Sequence, residues 1–371
     1  MSNDNQNMNI PHTTVSSLVK DLTALYQGAV RSGLPFKDFP SPFLWGPPGI
    51  GKSDGVRELA NELEKSTGKT VHVTDVRLLL FSPVDLRGVP IADEHRQFTN
   101  WLKPRLFEMD PSTDVINLLF LDELSAAPQS VQAAAYQITL DRRVGEHALP
   151  DNCIVIAAGN RTTDQSVSYK MPKALCNRLM HYVIESDFIS WKYWALQNNV
   201  DRRIIGFLSF DNSRLCSEPE SSDLAYTTPR SWVFVSSILS AACPVGGNVC
   251  EAHQLISACV GIDAALDFES WCQIYDALPA IDDIFHGICN SYPKKQDQLY
   301  ALATSLASAI ASRGSQIRQE HLENACTYAS KFPSDFAMAF FKDLNALDSI
   351  SLKLMKCHSL HDWLSHNKQY L

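Results

Sequence analysis

The fold of this 371-residue chain is indicated most directly by the loop Gly46-Pro47-Pro48-Gly49-Ile50-Gly51-Lys52-Ser53. It fits the pattern G-x-x-x-x-G-K-[ST], in which glycines let the backbone bend so that its N–H groups point at a phosphate. Pro47 and Pro48 lack an N–H, so the amides of residues 49–53 must form this cradle. Lys52 is expected to reach the β- and γ-phosphates of a nucleotide, and the Ser53 hydroxyl to ligate Mg²⁺.

The residues on either side of this loop have the order that a phosphate-binding loop requires. Residues 41–45 form a short apolar run that predicts a strand, and residues 54–63 have helical character. The N-terminus of that helix would add partial positive charge beside bound phosphate. We therefore predict that the nucleotide-binding stretch runs from Gly46 through Asp54.

Two carboxylates follow an apolar run farther along the chain. Residues 115–121 fit a strand buried on both faces, and Asp122 and Glu123 come directly after it. At the C-terminal edge of a parallel sheet, these carboxylates would face the phosphate loop. Asp122 is expected to bind Mg²⁺ through water, and Glu123 to polarise the water that attacks the nucleotide. In the alternative interpretation, the two residues are the N-cap and the first-turn acid of a helix.

The composition predicts a globular protein large enough for two domains, with 45% hydrophobic residues and a net charge of −9. No apolar stretch approaches the roughly 18 to 20 residues that span a bilayer, so no membrane insertion is expected and a cytoplasmic location is favoured. The ten cysteines have irregular spacings that predict free thiols. Because acidic residues outnumber basic ones, 41 to 32, binding of nucleic acid is not favoured, although a local basic patch stays possible.

Alternating strands and helices in the first half predict an α/β fold. Besides residues 41–45, strands are expected at 70–76, 115–121, 153–158 and 180–184, which gives a five-stranded parallel sheet covered on both faces by helices. Two small hairpins interrupt this alternation. One joins residues 88–91 to 97–101, and the other lies within 142–149.

Beyond about residue 187 the pattern is helix after helix, beginning with one helix over residues 188–208. We therefore predict three segments. Residues 1–12 are expected to be disordered, residues 13–186 to form an α/β nucleotide-binding domain that opens with a helix capped by Thr13 or Thr14, and residues 187–371 to form a helical lid and C-terminal region.

Three further polar side chains lie beside a predicted strand or open a helix. Asn160 ends the fourth strand, Arg178 precedes the fifth, and Arg230 opens a helix in the second half. Each has a structural alternative, since Asn160 suits a turn and the two arginines suit an exposed surface.

The order of these motifs resembles that of the AAA+ ATPases, and the two hairpins are similar to those of the MoxR branch. The resemblance spans about residues 34–232 and extends more loosely through the helical remainder. It implies that residues 46–53 are Walker A, Asp122 and Glu123 are Walker B, Asn160 is sensor 1, Arg178 is the arginine finger and Arg230 is sensor 2. Three arginines near the site compete with Arg178 for contacts across a subunit boundary, namely Arg142, Arg143 and Arg161.

The resemblance also implies an activity and partners. It implies hydrolysis of ATP with Mg²⁺ in a homo-oligomeric ring, usually a hexamer, that remodels or activates a protein client. The partner would be a separate protein with a von Willebrand factor A domain. Two alternatives stay open: an AAA+ ATPase that acts on nucleic acid in replication or mobile-element defence, and a nucleotide-dependent switch with little turnover.

Overall fold

The computed structural model describes residues 9–161, 164, 169, 171, 173–219, 223–244, 247–275 and 278–367. The chain divides into two compact units, Met1–Glu185 and Ser186–Leu371. Of the segment expected to be disordered, residues 1–8 lie outside the described residues, whereas His12 already belongs to a strand.

The first unit contains one parallel sheet and two small antiparallel hairpins. Its described strands are β1 (His12–Thr14), β2 (Ser41–Trp45), β3 (Thr70–Arg77), β4 (Val89–Ala92), β5 (Thr99–Leu102), β6 (Val115–Asp122), β7 (Arg143–Val144), β8 (His147–Ala148), β9 (Cys153–Gly159) and β10 (Leu179–Glu185). The parallel sheet has the order β1-β10-β2-β9-β6-β3. The hairpins are β4–β5 and β7–β8, as predicted.

The sheet has six strands, so the prediction of five is wrong by one edge strand. The additional strand is β1, in which His12 pairs with Val183 and Thr14 with Glu185 of β10. The His12 Nδ1 atom also lies 2.5 Å from the Glu185 Oε1 atom. Three residues are too few to produce an alternating pattern, so this strand forms because β10 offers an open edge.

Helices cover both faces of the parallel sheet. In the first unit they are α1 (Val15–Ser32), α2 (Lys52–Thr67), α3 (Pro83–Arg87), α4 (Gln129–Asp141) and α5 (Lys173–Cys176). The N-cap of α1 is Thr14, whose side chain accepts a hydrogen bond from the Ser17 N–H. One of the two residues predicted to cap this helix is therefore confirmed.

Alternate residues of β6 face opposite helical layers. Leu118 and Phe120 belong to the core formed with α1 and α2, whereas Leu119 and Leu121 belong to the core formed with α4. This explains the continuous apolar run, because a strand covered on both faces has no solvent side. Each such side chain stabilises the fold by about 1.5–3 kcal/mol relative to exposure, so the edge that carries Asp122 is firmly held.

All regular secondary structure in the described residues of the second unit is helical. Its helices are α6 (Phe188–Gln197), α7 (Arg202–Phe210), α8 (Pro229–Ala242), α9 (His253–Val260), α10 (Ile262–Tyr275), α11 (Ile281–Phe285), α12 (Gln296–Arg313), α13 (Gln319–Ala329), α14 (Ser334–Asn345), α15 (Ser351–Leu354) and α16 (His358–His366). One apolar core joins them, with Trp232, Phe268 and Phe340 fully buried in it.

The single helix predicted over residues 188–208 is wrong, because the structure divides it into α6 and α7. Asn199 adopts a left-handed φ of 55°, which ends the helical path. Asp201 then starts a new helix, since its carboxylate accepts a hydrogen bond from the Arg203 N–H at 2.8 Å. The apolar periodicity on both sides of this break hides it in the sequence.

All ten cysteines are free thiols, as predicted. Within the described part of the chain, no helix combines the length and the apolar character that crossing a membrane requires.

Candidate nucleotide-binding site

The phosphate loop lies between the end of β2 and the first turn of α2. Gly49 and Gly51 have φ angles of 81° and 103°, in the left-handed region that favours glycine. Gly51 is also the N-cap of α2. Because glycine has no side-chain oxygen, the N–H groups of the first turn are available to an acceptor, which is the arrangement that favours phosphate at a helix N-terminus.

The Lys52 ammonium connects the loop to the end of β9. Its Nζ atom donates hydrogen bonds to the carbonyl oxygens of Gly46 and Pro47, the latter at 3.0 Å. It also donates to the Asn160 Oδ1 atom at 3.1 Å. The structure therefore brings together two of the residues selected from the sequence, which are 108 positions apart.

Ser53 and Asp122 meet across the same edge of the sheet. The Ser53 hydroxyl donates a hydrogen bond to the Asp122 Oδ2 atom at 3.0 Å. The other carboxylate oxygen of Asp122 accepts the Glu123 N–H at 2.8 Å. A hydroxyl and a carboxylate oxygen this close supply the hard oxygen ligands that Mg²⁺ prefers, so the residues present fit the ion.

Glu123 lies at a strained point of the backbone. Its φ of 58° is in the left-handed region, which costs a residue with a side chain about 1–3 kcal/mol. The chain turns there, and the N–H groups of Ala126 and Ala127 donate to the Glu123 carbonyl. Helix α4 begins only at Gln129, after its N-cap Pro128. The alternative in which Asp122 and Glu123 cap a helix is therefore wrong.

The charges beside Asp122 are balanced between acids and bases. On β3, Arg77 pairs in register with Asp122 of β6. The pKa of Asp75, on the same strand, is raised mainly by burial and further by the negative charge of Asp122. Arg57 lies 3.5 Å from the Asp75 carboxylate and donates to Asp54 at 2.9 Å. Asp54, which belongs to the predicted nucleotide-binding stretch, is exposed, and its carboxylate forms an ion pair with Arg57.

One contact of the phosphate loop is absent from the sequence predictions. Val15, the first residue of α1, packs so closely on α2 that a Cβ atom at Gly55 would lie 2.8 Å from Val15 Cγ1. A Cβ atom at Gly51 would lie 3.6 Å from Val15 Cγ2. A glycine within the helical pattern of α2 is the signal that could have revealed this contact, because glycine there costs stability unless packing requires it.

The segment that carries Arg178 is tied to the strand before the phosphate loop. Trp45, the last residue of β2, donates its Nε1–H to His181 Nδ1 at 3.0 Å. The His181 Nε2 atom lies 2.8 Å from the Cys176 carbonyl oxygen. Since the indole N–H can only donate, His181 accepts at Nδ1 and donates at Nε2. Arg178 follows two residues after Cys176 and is exposed.

The arginines that compete with Arg178 have different surroundings. Arg142 is 8% exposed and donates to the Phe39 carbonyl at 3.0 Å, so it is too deeply buried to reach another subunit. Arg161 is paired with Asp164 at 2.7 Å, and Arg143 is exposed. The interpretation of Arg142 as a side chain for intersubunit contacts is therefore wrong.

Arg230 belongs to the second unit. It is the exposed second residue of α8 and lies between Thr228 and Ser231, which form the N-terminal capping box of this helix.

The comparison with known families agrees with this geometry. Residues 43–181 match the family described as "ATPase family associated with various cellular activities (AAA)". The matched residues include the last three residues of β2, the phosphate loop, both carboxylates, Asn160 and Arg178. Residues 43–181 are thus similar to an ATPase domain of the AAA type, and the first unit has the predicted parallel sheet flanked by helices. A comparison with curated protein sequences found no match.

Solved structures resemble the chain only loosely. A variant of RuvB from Thermotoga maritima is 17% identical, with a TM-score of 0.37 and coverage of 84% of this chain and 88% of that chain. The ORC2 protein of Aeropyrum pernix is 13% identical, with a TM-score of 0.41 and coverage of 92% and 88%. NtrX from Brucella abortus is 12% identical, with a TM-score of 0.33 and coverage of 91% and 69%. All three TM-scores are below 0.5, so no property of these proteins is inferred for this chain.

Lys52→Ala is expected to weaken ATP binding about ten- to a hundredfold, because a hydrogen bond to a charged group contributes about 1.5–3 kcal/mol. Isothermal titration calorimetry with ATP measures the change. The matched control is Lys65→Ala, which removes an exposed lysine of the same helix that is paired with Glu62. Equal affinity of the Lys52→Ala and wild-type chains would contradict the role of the loop.

Proposed function

We propose that the chain is an ATP-hydrolysing motor of the MoxR type that remodels or activates a protein client. The single observation that supports this most strongly is the convergence of Lys52 on Asn160 and of Ser53 on Asp122, at 3.1 and 3.0 Å. Three motifs that are distant in sequence, namely the phosphate loop, Asp122 and Asn160, thereby meet at one edge of the sheet. Nucleotide hydrolysis needs a loop that binds phosphate, hard oxygen ligands for Mg²⁺ and a further carboxylate that can activate water, and this edge carries all three.

Each of these residues has a proposed role in hydrolysis. The amides of residues 49–53 and Lys52 bind the phosphates, while Ser53 and Asp122 would hold Mg²⁺, with Asp122 acting through water. The ion neutralises charge on the phosphate oxygens when it is bound. Glu123 orients the attacking water and accepts its proton, and Asn160 fixes the position of the γ-phosphate next to Lys52.

The proposal includes a ring of identical subunits, usually six, in which Arg178 of one subunit reaches the nucleotide of its neighbour. The exposure of Arg178 supports this, because a trans-acting side chain must be accessible on its own subunit. Arg230 would act as sensor 2. The two hairpins support the MoxR assignment, and the free thiols suit the cytoplasm.

The partner would be a separate protein with a von Willebrand factor A domain. Proteins should co-purify with the Glu123→Gln variant in ATP and be absent from a Lys52→Ala preparation under the same conditions. Each one is then purified and added to the wild-type chain. A true client or partner raises ATP turnover several-fold. If no purified candidate changes turnover, the protein-remodelling function is wrong.

A second function, action on nucleic acid, is favoured by basic residues around the β4–β5 hairpin. Arg87, Arg96 and Lys103 lie there, but Asp93 and Glu94 stand among them in the turn. DNA binding at physiological salt usually requires several basic side chains that neutralise phosphates.

A third possibility, a nucleotide switch, predicts ATP binding with little turnover even in the assembled state.

DNA is expected to stimulate ATP turnover less than about twofold at physiological salt, because the few basic residues of the hairpin are offset by acids. Phosphate release with and without double-stranded and single-stranded DNA measures this. A several-fold stimulation that disappears in the Arg87→Ala, Arg96→Ala double variant would instead support the function on nucleic acid.

A further inference from the structure

A buried hydroxyl holds the main chain of Asn160 from both sides. Ser125, which is 3% exposed, donates its Oγ–H to the Asn160 carbonyl at 3.0 Å. The same Oγ atom accepts the Asn160 N–H at 2.9 Å. Asn160 comes directly after β9, where the sheet no longer supplies its hydrogen bonds. The two bonds therefore replace the strand pairing that would otherwise orient this residue.

Ser125 is itself fixed by helix α4. Gln132, which is 4% exposed, donates its amide to the carbonyl oxygens of Ser125 at 3.3 Å and Ala127 at 3.0 Å. Tyr136 donates its hydroxyl to Gln132 at 3.3 Å, and burial raises the pKa of Tyr136 to about 12, so it stays a donor at neutral pH. These bonds form a continuous path from α4 through Ser125 and Asn160 to the Lys52 ammonium.

The packing around Ser125 leaves little room for displacement. A Cβ atom at Gly159 would lie 2.7 Å from Ser125 Oγ and 2.9 Å from Ser125 Cβ. The chain therefore approaches Ser125 at a distance that only glycine permits. A hydroxyl at this position is short enough to fit and still reaches both polar groups of the Asn160 backbone.

We infer that Ser125 is a positioning residue for ATP hydrolysis, which acts by fixing the Asn160 side chain beside Lys52. This rests on the proposed function, in which Asn160 positions the γ-phosphate. Ser125 does not contact the nucleotide in this role. Its removal should therefore slow the chemical step and leave ATP binding unchanged, because the amides of the loop and Lys52 are intact.

Ser125→Ala is expected to lower kcat about tenfold or more, since a small misplacement of a catalytic group has effects of up to about 10²-fold. The dissociation constant for ATP should change by less than about threefold. Steady-state phosphate release gives kcat and KM, and calorimetry gives the affinity. Ser125→Cys keeps a weak donor of similar size and should give an intermediate kcat. It also provides a second variant for the test if the alanine chain does not fold.

A double-mutant cycle with Asn160→Ala separates positioning from mere stability. Asn160→Ala keeps the N–H and the carbonyl that Ser125 binds, so any structural effect of Ser125→Ala persists in that background. The effect on kcat should vanish there, because no Asn160 side chain is left to position. The urea midpoint should fall by the same amount in both backgrounds.

Ser41→Ala is the matched control. Ser41 is 1% exposed, belongs to β2 and donates its hydroxyl to the Thr139 carbonyl at 2.9 Å. Its substitution also removes a buried hydroxyl that donates to a backbone carbonyl, so the urea midpoint should fall while kcat stays at the wild-type value.

Two results would overturn the inference: a wild-type kcat in a folded Ser125 variant, or the same loss of kcat with and without the Asn160 side chain. The proposed function fails differently. If Asn160→Ala turns over ATP like the wild type, the role of Asn160 is wrong. If Asn160→Ala is slow but Ser125→Ala is not, only the positioning role is wrong.

Discussion

Glu123→Gln is expected to bind ATP as tightly as the wild-type chain and to hydrolyse it at least about 100-fold more slowly. The carboxamide has the same shape but cannot accept a proton from water, and general-base catalysis contributes about 10²–10⁴-fold in rate. The phosphate loop and Asp122 are unchanged, so binding should persist. Phosphate release in a single turnover measures the chemical step, and calorimetry measures the affinity.

The matched control is Glu62→Gln, which neutralises a carboxylate of α2 that is paired with Lys65 on the outside of the molecule. It should leave both binding and turnover at the wild-type values. Turnover of the Glu123→Gln chain at the wild-type rate would remove Glu123 from the catalytic site.

Arg178→Ala is expected to lower turnover by about 10³–10⁵-fold while ATP still binds, because this is the rate contribution of an arginine finger. It corresponds to about 4–7 kcal/mol of transition-state stabilisation. Arg143→Ala and Arg161→Ala are the comparison variants, since both arginines lie in the same unit. If either one is inactive and Arg178→Ala is active, that residue is the finger.

Mixing of inactive subunits tests whether Arg178 acts in trans. Arg178→Ala subunits keep an intact phosphate loop, and Lys52→Ala subunits keep an intact finger. Mixed rings should regain turnover at boundaries where an intact finger faces an intact loop. Co-assembly without any recovery would argue for action within one subunit, and a chain that stays monomeric with ATP would remove the premise of a ring.

The sequence is sufficient for the parts of the fold that depend on local pattern. The apolar run of β6 and the glycines of the phosphate loop follow from the chemistry of a buried strand and a phosphate cradle, so both are visible without a structure. The pairing of Ser53 with Asp122 follows from parallel strands ending at one edge. The hairpins β4–β5 and β7–β8 were also predictable from their turn residues.

The remaining features depend on contacts between distant residues. Strand β1 exists through its pairing with β10, and the packing of Val15 on Gly55 depends on where α1 lies on the sheet. In the sequence, Ser125 is typical of a turn. Its contact with Asn160 exists only because β9 places Asn160 next to it in the folded chain. Arg142 is of a residue type typical of the surface, yet it is buried and donates a hydrogen bond to the Phe39 carbonyl. Tertiary placement decides each of these, and one sequence does not record it.

Phosphate release from ATP and Mg²⁺ by the wild-type chain and by Lys52→Ala can be compared at equal protein concentration, with ATP at a concentration that saturates the wild type. If ATP is hydrolysed at the sheet edge that carries residues 46–53, Asp122, Glu123 and Asn160, the wild type should release phosphate steadily. Lys52→Ala should release it only at the background rate. Equal release by the two chains would contradict hydrolysis at this edge, because the activity would then arise elsewhere.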